Sequence, residues 1–152
     1  IVIGPVLDRV IRMVRPVADE KEVSISASGD AGAAVVTTEG ELHQILYNLV
    51  ENAIKYNRRG GFVRVKLAAG PEACTITVED NGIGIPPASQ SRVFERFYRV
   101  DKSRSKATGG TGLGLAIVKH IALLHHASIK LESQEGRGTC ITVVFPEGGA
   151  NK

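Results

Sequence analysis

In the stretch NLVENAIKY, positions 48 to 56, two asparagines, a glutamate and a lysine recur at helical spacing. At 100° per residue, Glu41, Gln44, Asn48, Glu51, Asn52 and Lys55 gather on one side, opposite an apolar stripe of Leu42, Ile45, Leu46, Leu49, Val50 and Ala53. Asparagine competes with helical backbone hydrogen bonds, so each mid-helix Asn costs a few tenths of a kcal/mol relative to alanine. A solvated helix face accounts for one such residue. Four together admit a second reading, as a phosphate site. An amide oxygen is a neutral hard ligand suited to a magnesium ion that keeps several waters and takes its other ligands from phosphates. Lys55 would stabilise negative charge nearby, and Glu51 could act as a base or orient a nucleophile.

Two glycine-bearing stretches could complete such a site. Asp80-Asn81-Gly82-Ile83-Gly84 follows directly on a predicted strand. Taken alone it is a β-turn, but a carboxylate ending an apolar strand is costly unless it has partners. Asp80 could accept a hydrogen bond from the amino group of adenine, whereas guanine would oppose a carbonyl oxygen to it and leave both unpaired. The third stretch, GGTGLGLAIVK over 109–119, crowds four glycines against an apolar helix start. That pattern suits a tight turn into a packed helix. It also suits backbone N–H groups brought close to an anion at a helix N-terminus.

The elements that must position these residues can be read from periodicity. Helical spacing runs from Val6 to Lys21, with Pro16 predicting a kink or the helix end. Val23–Ser28 and Ala33–Thr37 read as strands, and Glu39–Asn57 as the long helix. Phe62–Ala69 and Cys74–Asp80 alternate with period two and form a hairpin; Ile129–Glu132 and Thr139–Phe145 form another. Between them lie a short helical stretch at Ser89–Tyr98, an aperiodic polar loop over Val100–Gly112, and a helix from Leu113 to His125. Hairpins and helices without strict βαβ alternation predict an α+β fold. The expected form is a two-layer sandwich in which a mixed, mostly antiparallel sheet of about five strands is covered on one face by about three helices.

Length and composition bound the rest. A chain of 152 residues with 43% hydrophobic and 23% charged residues fits one ordinary globular domain, here residues 1–152 with 148–152 as a frayed tail. No apolar run is long enough to span a bilayer, and the chain opens at Ile1 without methionine, as expected of a piece of something longer. Cys74 and Cys140 lie far apart in alternating stretches and predict buried, unpaired thiols. A net charge of +3 without a basic run or an aromatic-interleaved patch gives little support to nucleic-acid binding.

Taken together and in this order, NLVENAIKY, DNGIG and GGTGLGLA resemble the N, G1 and G2 boxes of the GHKL ATPases, the Bergerat-fold superfamily of histidine kinases, gyrase, MutL-type repair proteins and heat-shock chaperones. Phe94-Glu95-Arg96-Phe97-Tyr98-Arg99 is similar to the F box of sensor histidine kinases, and the other branches lack it. FERFYRVDKSRS followed by GGTGLGLAIVKHI most resembles membrane-linked sensor kinases of the phosphate-response type. The resemblance implies ATP and magnesium as cofactors and assigns roles position by position. Asn52 would ligate magnesium, and Asn48 would contact the phosphates or the metal shell. Glu51 would help polarise the accepting histidine. Lys55 and Tyr56 would bind phosphate and flank the nucleotide. Asp80 would read the adenine amino group, with Gly82 and Gly84 allowing close approach and Ile85 alongside. Tyr98 and Arg99 would line the site, the arginine near the γ-phosphate. Gly110, Thr111, Gly112, Leu113 and Gly114 would close on the phosphates as the end of an ATP lid that includes Lys102, Arg104 and Lys106.

The function so implied is transfer of the γ-phosphoryl group of Mg-ATP to a histidine on a separate dimerisation and phosphoacceptor domain of the same full-length kinase, which then supplies a response regulator. The chain would be the cytoplasmic catalytic part of a membrane-anchored bacterial sensor. No stretch resembles the Ser-His-Glu-Leu-Arg-Thr-Pro of a phosphoacceptor helix, so His43, His120, His125 and His126 are assigned to surface or packing. Thr37-Thr38-Glu39 departs from the Gly-Asp of many relatives, outside the nucleotide boxes. The alternatives are a nucleotide-dependent interaction module without turnover and an ATPase of the gyrase or chaperone kind.

Overall fold

A computed structural model of the chain describes residues 1–30, 32–95 and 114–146. In chain order the elements are α1 (Ile3–Glu20), β1 (Ser24–Gly29), α2 (Glu39–Lys55), β2 (Phe62–Ala69), β3 (Ala73–Asp80), the single turn α3 (Pro87–Gln90), α4 (Gly114–Leu124), β4 (Ser128–Gln134) and β5 (Gly138–Pro146). The strands form one mixed sheet in the order β1-β2-β3-β5-β4, parallel only between β1 and β2. This is the expected α+β sandwich, with five strands and, among the described residues, three long helices and one short one.

Alternation along the strands divides the sheet into two faces. Val63, Val65 and Leu67 of β2, Cys74, Ile76 and Val78 of β3, and Ile141, Val143 and Phe145 of β5 are buried under the helices. The opposite face carries Arg64, Lys66, Thr75, Thr77, Glu79 and Thr142, with Arg64 and Glu79 paired across β2 and β3 at 3.7 Å. Helix α2 is the centre of the helical layer, packing against α1, α4 and the sheet. Leu42, Ile45, Leu46, Leu49, Val50, Ala53 and Ile54 form its buried stripe. Its start is fixed by a capping box. Thr38 accepts from the Glu41 backbone N–H at 3.1 Å, and the Glu41 carboxylate accepts from the Thr38 N–H at 3.4 Å.

Several elements depart from the sequence reading. Helix α1 starts at Ile3 and runs through Pro16 to Glu20. Pro16 sits on the exposed side, where the carbonyl that loses its amide partner faces water rather than the core. Ala33–Thr37 is not a strand of the sheet. Ile3 donates to the Ala33 carbonyl and Val35 to that of Ile1, an isolated antiparallel bridge that buries Ala33 and Val35. Strand β1 instead pairs in parallel with β2, as the edge strand of the sheet. Of the helical stretch expected over Ser89–Tyr98, the described part has one helical turn, Pro87–Gln90, followed by turns to Glu95, and 96–98 lie outside the described residues. Both cysteines are free, but only Cys74 is fully buried. Cys140 is half-buried on the polar sheet face, where burial and then the Glu79 charge push its thiol pKa up.

Candidate functional site

Helix α2 joins the parts of the site: its polar stripe meets the first turn of α4 at Gly114, and its C-terminal end meets the turn after β3 at Gly82. The Asn48 side-chain N–H donates to the Gln44 carbonyl one turn back at 2.8 Å, which leaves its Oδ1 directed away from the helix. That oxygen lies 3.3 Å from where a Cβ on Gly114 would stand, so the helix following the glycine run starts against Asn48. Asn52 is one turn further along the same side of α2. On the flank toward α1, Tyr47 donates its phenol proton to Glu51 Oε2 at 3.1 Å, and Lys55 Nζ lies 3.4 Å from Glu51 Oε1. Burial, followed by the adjacent Glu51 charge, raises the Tyr47 pKa. The three side chains edge a groove of about 470 Å³ between α1 and α2 that also contains Met13, Val17 and Lys21.

Asp80 ends β3 on the same face as Cys74, Ile76 and Val78, so its carboxylate points under the helical layer. Burial pushes its pKa up to about 6, against the pull of backbone N–H groups of Gly82 and Thr139. The Gly82 N–H donates to Asp80 Oδ1 at 2.8 Å. Protein groups satisfy most of the turn that follows. Ile83 donates to the Tyr56 carbonyl at 3.1 Å and accepts from the Gly136 N–H at 2.7 Å. Ile85, buried in the core, donates to Ser133 Oγ at 2.8 Å, and its carbonyl accepts from Gln90 at 2.9 Å. What the turn leaves to offer a ligand is chiefly the Asp80 carboxylate.

Both glycines of this turn have a reason within the protein itself. A Cβ on Gly82 would stand 2.5 Å from the Tyr56 carbonyl oxygen, and one on Gly84, whose φ is +73°, would stand 2.2 Å from that of Gln134. The turn therefore lies directly on the C-terminal end of α2 and on the β4–β5 hairpin. Sequence reasoning missed the side chains that hold it there. Asn57, 4% exposed, donates to the Phe62 carbonyl and accepts from the Arg58 N–H, while Asn81 accepts from the Phe62 N–H at 2.7 Å. Arg58 Nη2 donates to the carbonyls of Gly82 at 2.9 Å and Gly136 at 2.7 Å. Adjacent asparagine and arginine at a helix end gave a composition signal only; their partners lie up to 78 residues away.

His125, at the far end of α4, bonds Glu41 Oε1 at 2.8 Å and Thr37 Oγ1 at 3.2 Å, a packing role consistent with its assignment. This bond and Thr37 hold the Glu41 carboxyl down at about 2. His43 stacks on Tyr47 with centroids 6.1 Å apart. Among the described residues no group of three or more His, Cys, Asp or Glu side chains could hold a metal. A magnesium ion here would depend on amide oxygens, which Asn48 and Asn52 could provide, and on the phosphates of the nucleotide. Tyr98, Arg99, Gly110, Thr111, Gly112 and Leu113, with the lid residues Lys102, Arg104 and Lys106, lie outside the described residues.

A buried strand-end carboxylate, an amide-bearing helix and a glycine-preceded helix start, arranged on a mixed five-stranded sheet, define a nucleotide-binding class of protein. Residues 37–149 match the model of the histidine kinase-, DNA gyrase B- and HSP90-like ATPase family, and the chain belongs to that family. The chain is 49% identical over 130 residues to the sensor-like histidine kinase SenX3 of Mycolicibacterium smegmatis, covering 86% of this chain and 34% of that protein. It is 45% identical over 118 residues to the phosphate regulon sensor protein PhoR of Pseudomonas aeruginosa, covering 76% of this chain and 27% of the relative. Among solved structures, the mycobacterial sensor histidine kinase MprB superposes with a TM-score of 0.80 at 30% identity, over 93% of each chain. The chain thus spans about a quarter to a third of the length of these curated relatives. No helix among the described residues is long and apolar enough to cross a membrane.

Proposed function

We propose that this chain is the catalytic, ATP-binding part of a two-component sensor histidine kinase. It binds Mg-ATP and transfers the γ-phosphoryl group to a histidine nitrogen on a separate dimerisation and phosphoacceptor domain of the same full-length protein; the bond from phosphorus to the ADP oxygen breaks as the N–P bond forms. A response regulator then receives the phosphoryl group. The observation that carries the reading is the approach of Asn48 Oδ1 to Gly114, which joins the α2 stripe to the glycine run. The named relatives, two sensor histidine kinases and a phosphate regulon sensor protein, support it.

In this reading Asp80 accepts from the adenine amino group, and Asn52, with Asn48 beside it, holds the magnesium ion. When bound, that ion neutralises phosphate charge. Lys55 and Tyr56 flank the nucleotide. Glu51, oriented by Tyr47 and Lys55, polarises the accepting imidazole. The positive end of α4, which Gly114 opens, faces the phosphates, and Gly110 to Leu113 enter through the resemblance alone. Tyr98 and Arg99 enter through the F-box resemblance alone. The protein's contribution is positioning and charge neutralisation, as expected for phosphoryl transfer.

The test mixes the chain, γ-labelled ATP and magnesium with the histidine-bearing domain of its full-length protein. Acid-labile label on that histidine is expected, and Asn52→Ala should abolish it. Normal nucleotide binding with an unlabelled histidine would overturn kinase function.

A further inference from the structure

We propose that Arg58 is a positioning residue for base recognition, acting through the backbone of Gly82 to fix the Asp80 carboxylate. The inference rests on the nucleotide-binding reading and adds a determinant that lies outside the three nucleotide boxes. Gly82 is tied at both of its backbone groups. Its N–H donates to Asp80 Oδ1 at 2.8 Å, and its carbonyl accepts from Arg58 Nη2 at 2.9 Å. The same guanidinium nitrogen reaches the Gly136 carbonyl at 2.7 Å, and the Gly136 N–H in turn bonds Ile83. One cationic group therefore links the residue that orients Asp80 to the hairpin flanking it.

The root of the arginine is as well fixed as its tip. The Arg58 N–H donates to Asn57 Oδ1 at 2.8 Å, and the buried Asn57 amide is held by the Phe62 carbonyl at 2.9 Å. No carboxylate pairs with Arg58 among the described residues, so its charge is directed at the two carbonyls. Charged donors make the shorter and stronger hydrogen bonds to such acceptors. Without the guanidinium, the Gly82–Ile83 peptide keeps its N–H bond to the Tyr56 carbonyl but loses the charged donor on its carbonyl, which leaves the Gly82 Cα, and with it the Asn81–Gly82 N–H that orients Asp80, freer to shift. Because a buried carboxylate recognises its donor within a few tenths of an ångström, that shift would be felt at the base and not at the phosphates.

The experiment measures affinities of ATP, GTP, adenosine and inorganic tripolyphosphate for the full chain and for Arg58→Ala and Arg58→Lys. Misalignment that costs the bond between Asp80 and the base corresponds to about a five- to tenfold change in affinity. Arg58→Ala is expected to weaken ATP and adenosine by that same factor, to narrow the preference for ATP over GTP, and to leave tripolyphosphate unchanged. Arg58→Lys, which can still donate to both carbonyls, should recover part of the loss. A variant that melts earlier but keeps its adenine preference, or that weakens tripolyphosphate equally, would overturn the inference. Absence of ATP binding in the unsubstituted chain would instead defeat the nucleotide-binding reading itself.

Discussion

Asn48 and Gly114 stand face to face: the amide oxygen of one lies 3.3 Å from where the other would carry a side chain. Sixty-six positions apart, they are the point at which the polar stripe of α2 meets the first turn of α4. Gly114→Ala should separate stability from binding. Alanine favours a helix over glycine by up to about 1 kcal/mol, so the melting temperature of the free chain should hold or rise. The new methyl group displaces Asn48, however, and ATP affinity in magnesium should fall severalfold, as calorimetric titration would show. Unchanged affinity would deny the contact a role.

Asp80 sets binding against stability. Its folded-state pKa, raised by burial from 3.8 to about 6, means that the folded chain holds the proton more tightly than the unfolded chain. Its stabilising contribution is therefore complete below pH 3.8 and is lost as pH rises through 6. Above that, ionised Asp80 costs on the order of 3 kcal/mol. Asp80→Asn removes the charge but presents an N–H₂ where a second acceptor stood, so a net gain of about 1–2 kcal/mol is expected at about pH 8. The gain should vanish near about pH 4 in urea titrations. The same variant should bind ATP at least about tenfold more weakly.

The same ionisation predicts that ATP affinity of the unsubstituted chain declines from about pH 7.5 to about pH 5.5. The protonated oxygen turns from acceptor into donor and opposes the adenine amino group. Asp80→Asn should lack this limb, and a variant that retained it would place the titration elsewhere.

Gly84 and Gly136 both have positive φ, +73° and +84°, but only Gly84 has no room, with the Gln134 carbonyl oxygen 2.2 Å from where a Cβ would stand. Gly136→Ala should cost about 1 kcal/mol from backbone strain. Gly84→Ala should cost more than about 2 kcal/mol, because backbone must move as well. Comparable denaturation midpoints for the two would show that the turn yields more readily than its packing indicates.

At the other end of α2, Thr38→Ala should cost about 1 kcal/mol at any pH by removing the cap. Glu41→Gln keeps the cap but gives up the charge. The Glu41 carboxyl is depressed to about 2 by His125 and Thr37, so its contribution is present above pH 4.5 and lost as pH falls toward 2. The stability difference between Glu41→Gln and the unsubstituted chain should therefore close in acid. A difference independent of pH would mean that the bond to His125 contributes nothing through charge.

By itself the sequence determined the elements with strong local periodicity and the residues with chemistry in them. The alternation of FVRVKLAA and CTITVED determined the central hairpin, and the stripe from Leu42 to Ala53 determined α2 with Asn48, Glu51, Asn52 and Lys55 on its other side. Both signals arise from neighbours in the chain. What only the tertiary structure decided depends on contacts between distant segments. Ala33–Thr37 alternates like a strand, yet β1 takes β2 as its partner, because pairing is chosen across the sheet rather than along the chain. DNGIG reads as a site glycine motif, but its two glycines are required by the carbonyls of Tyr56 and Gln134. Nor could spacing reveal that Arg58, Asn57 and Ser133 support the turn that carries Asp80, since a hydrogen bond to a backbone group leaves no pattern in the residue that contributes that group. The chemistry was written locally; its alignment was set by backbone groups that only folding brings within reach.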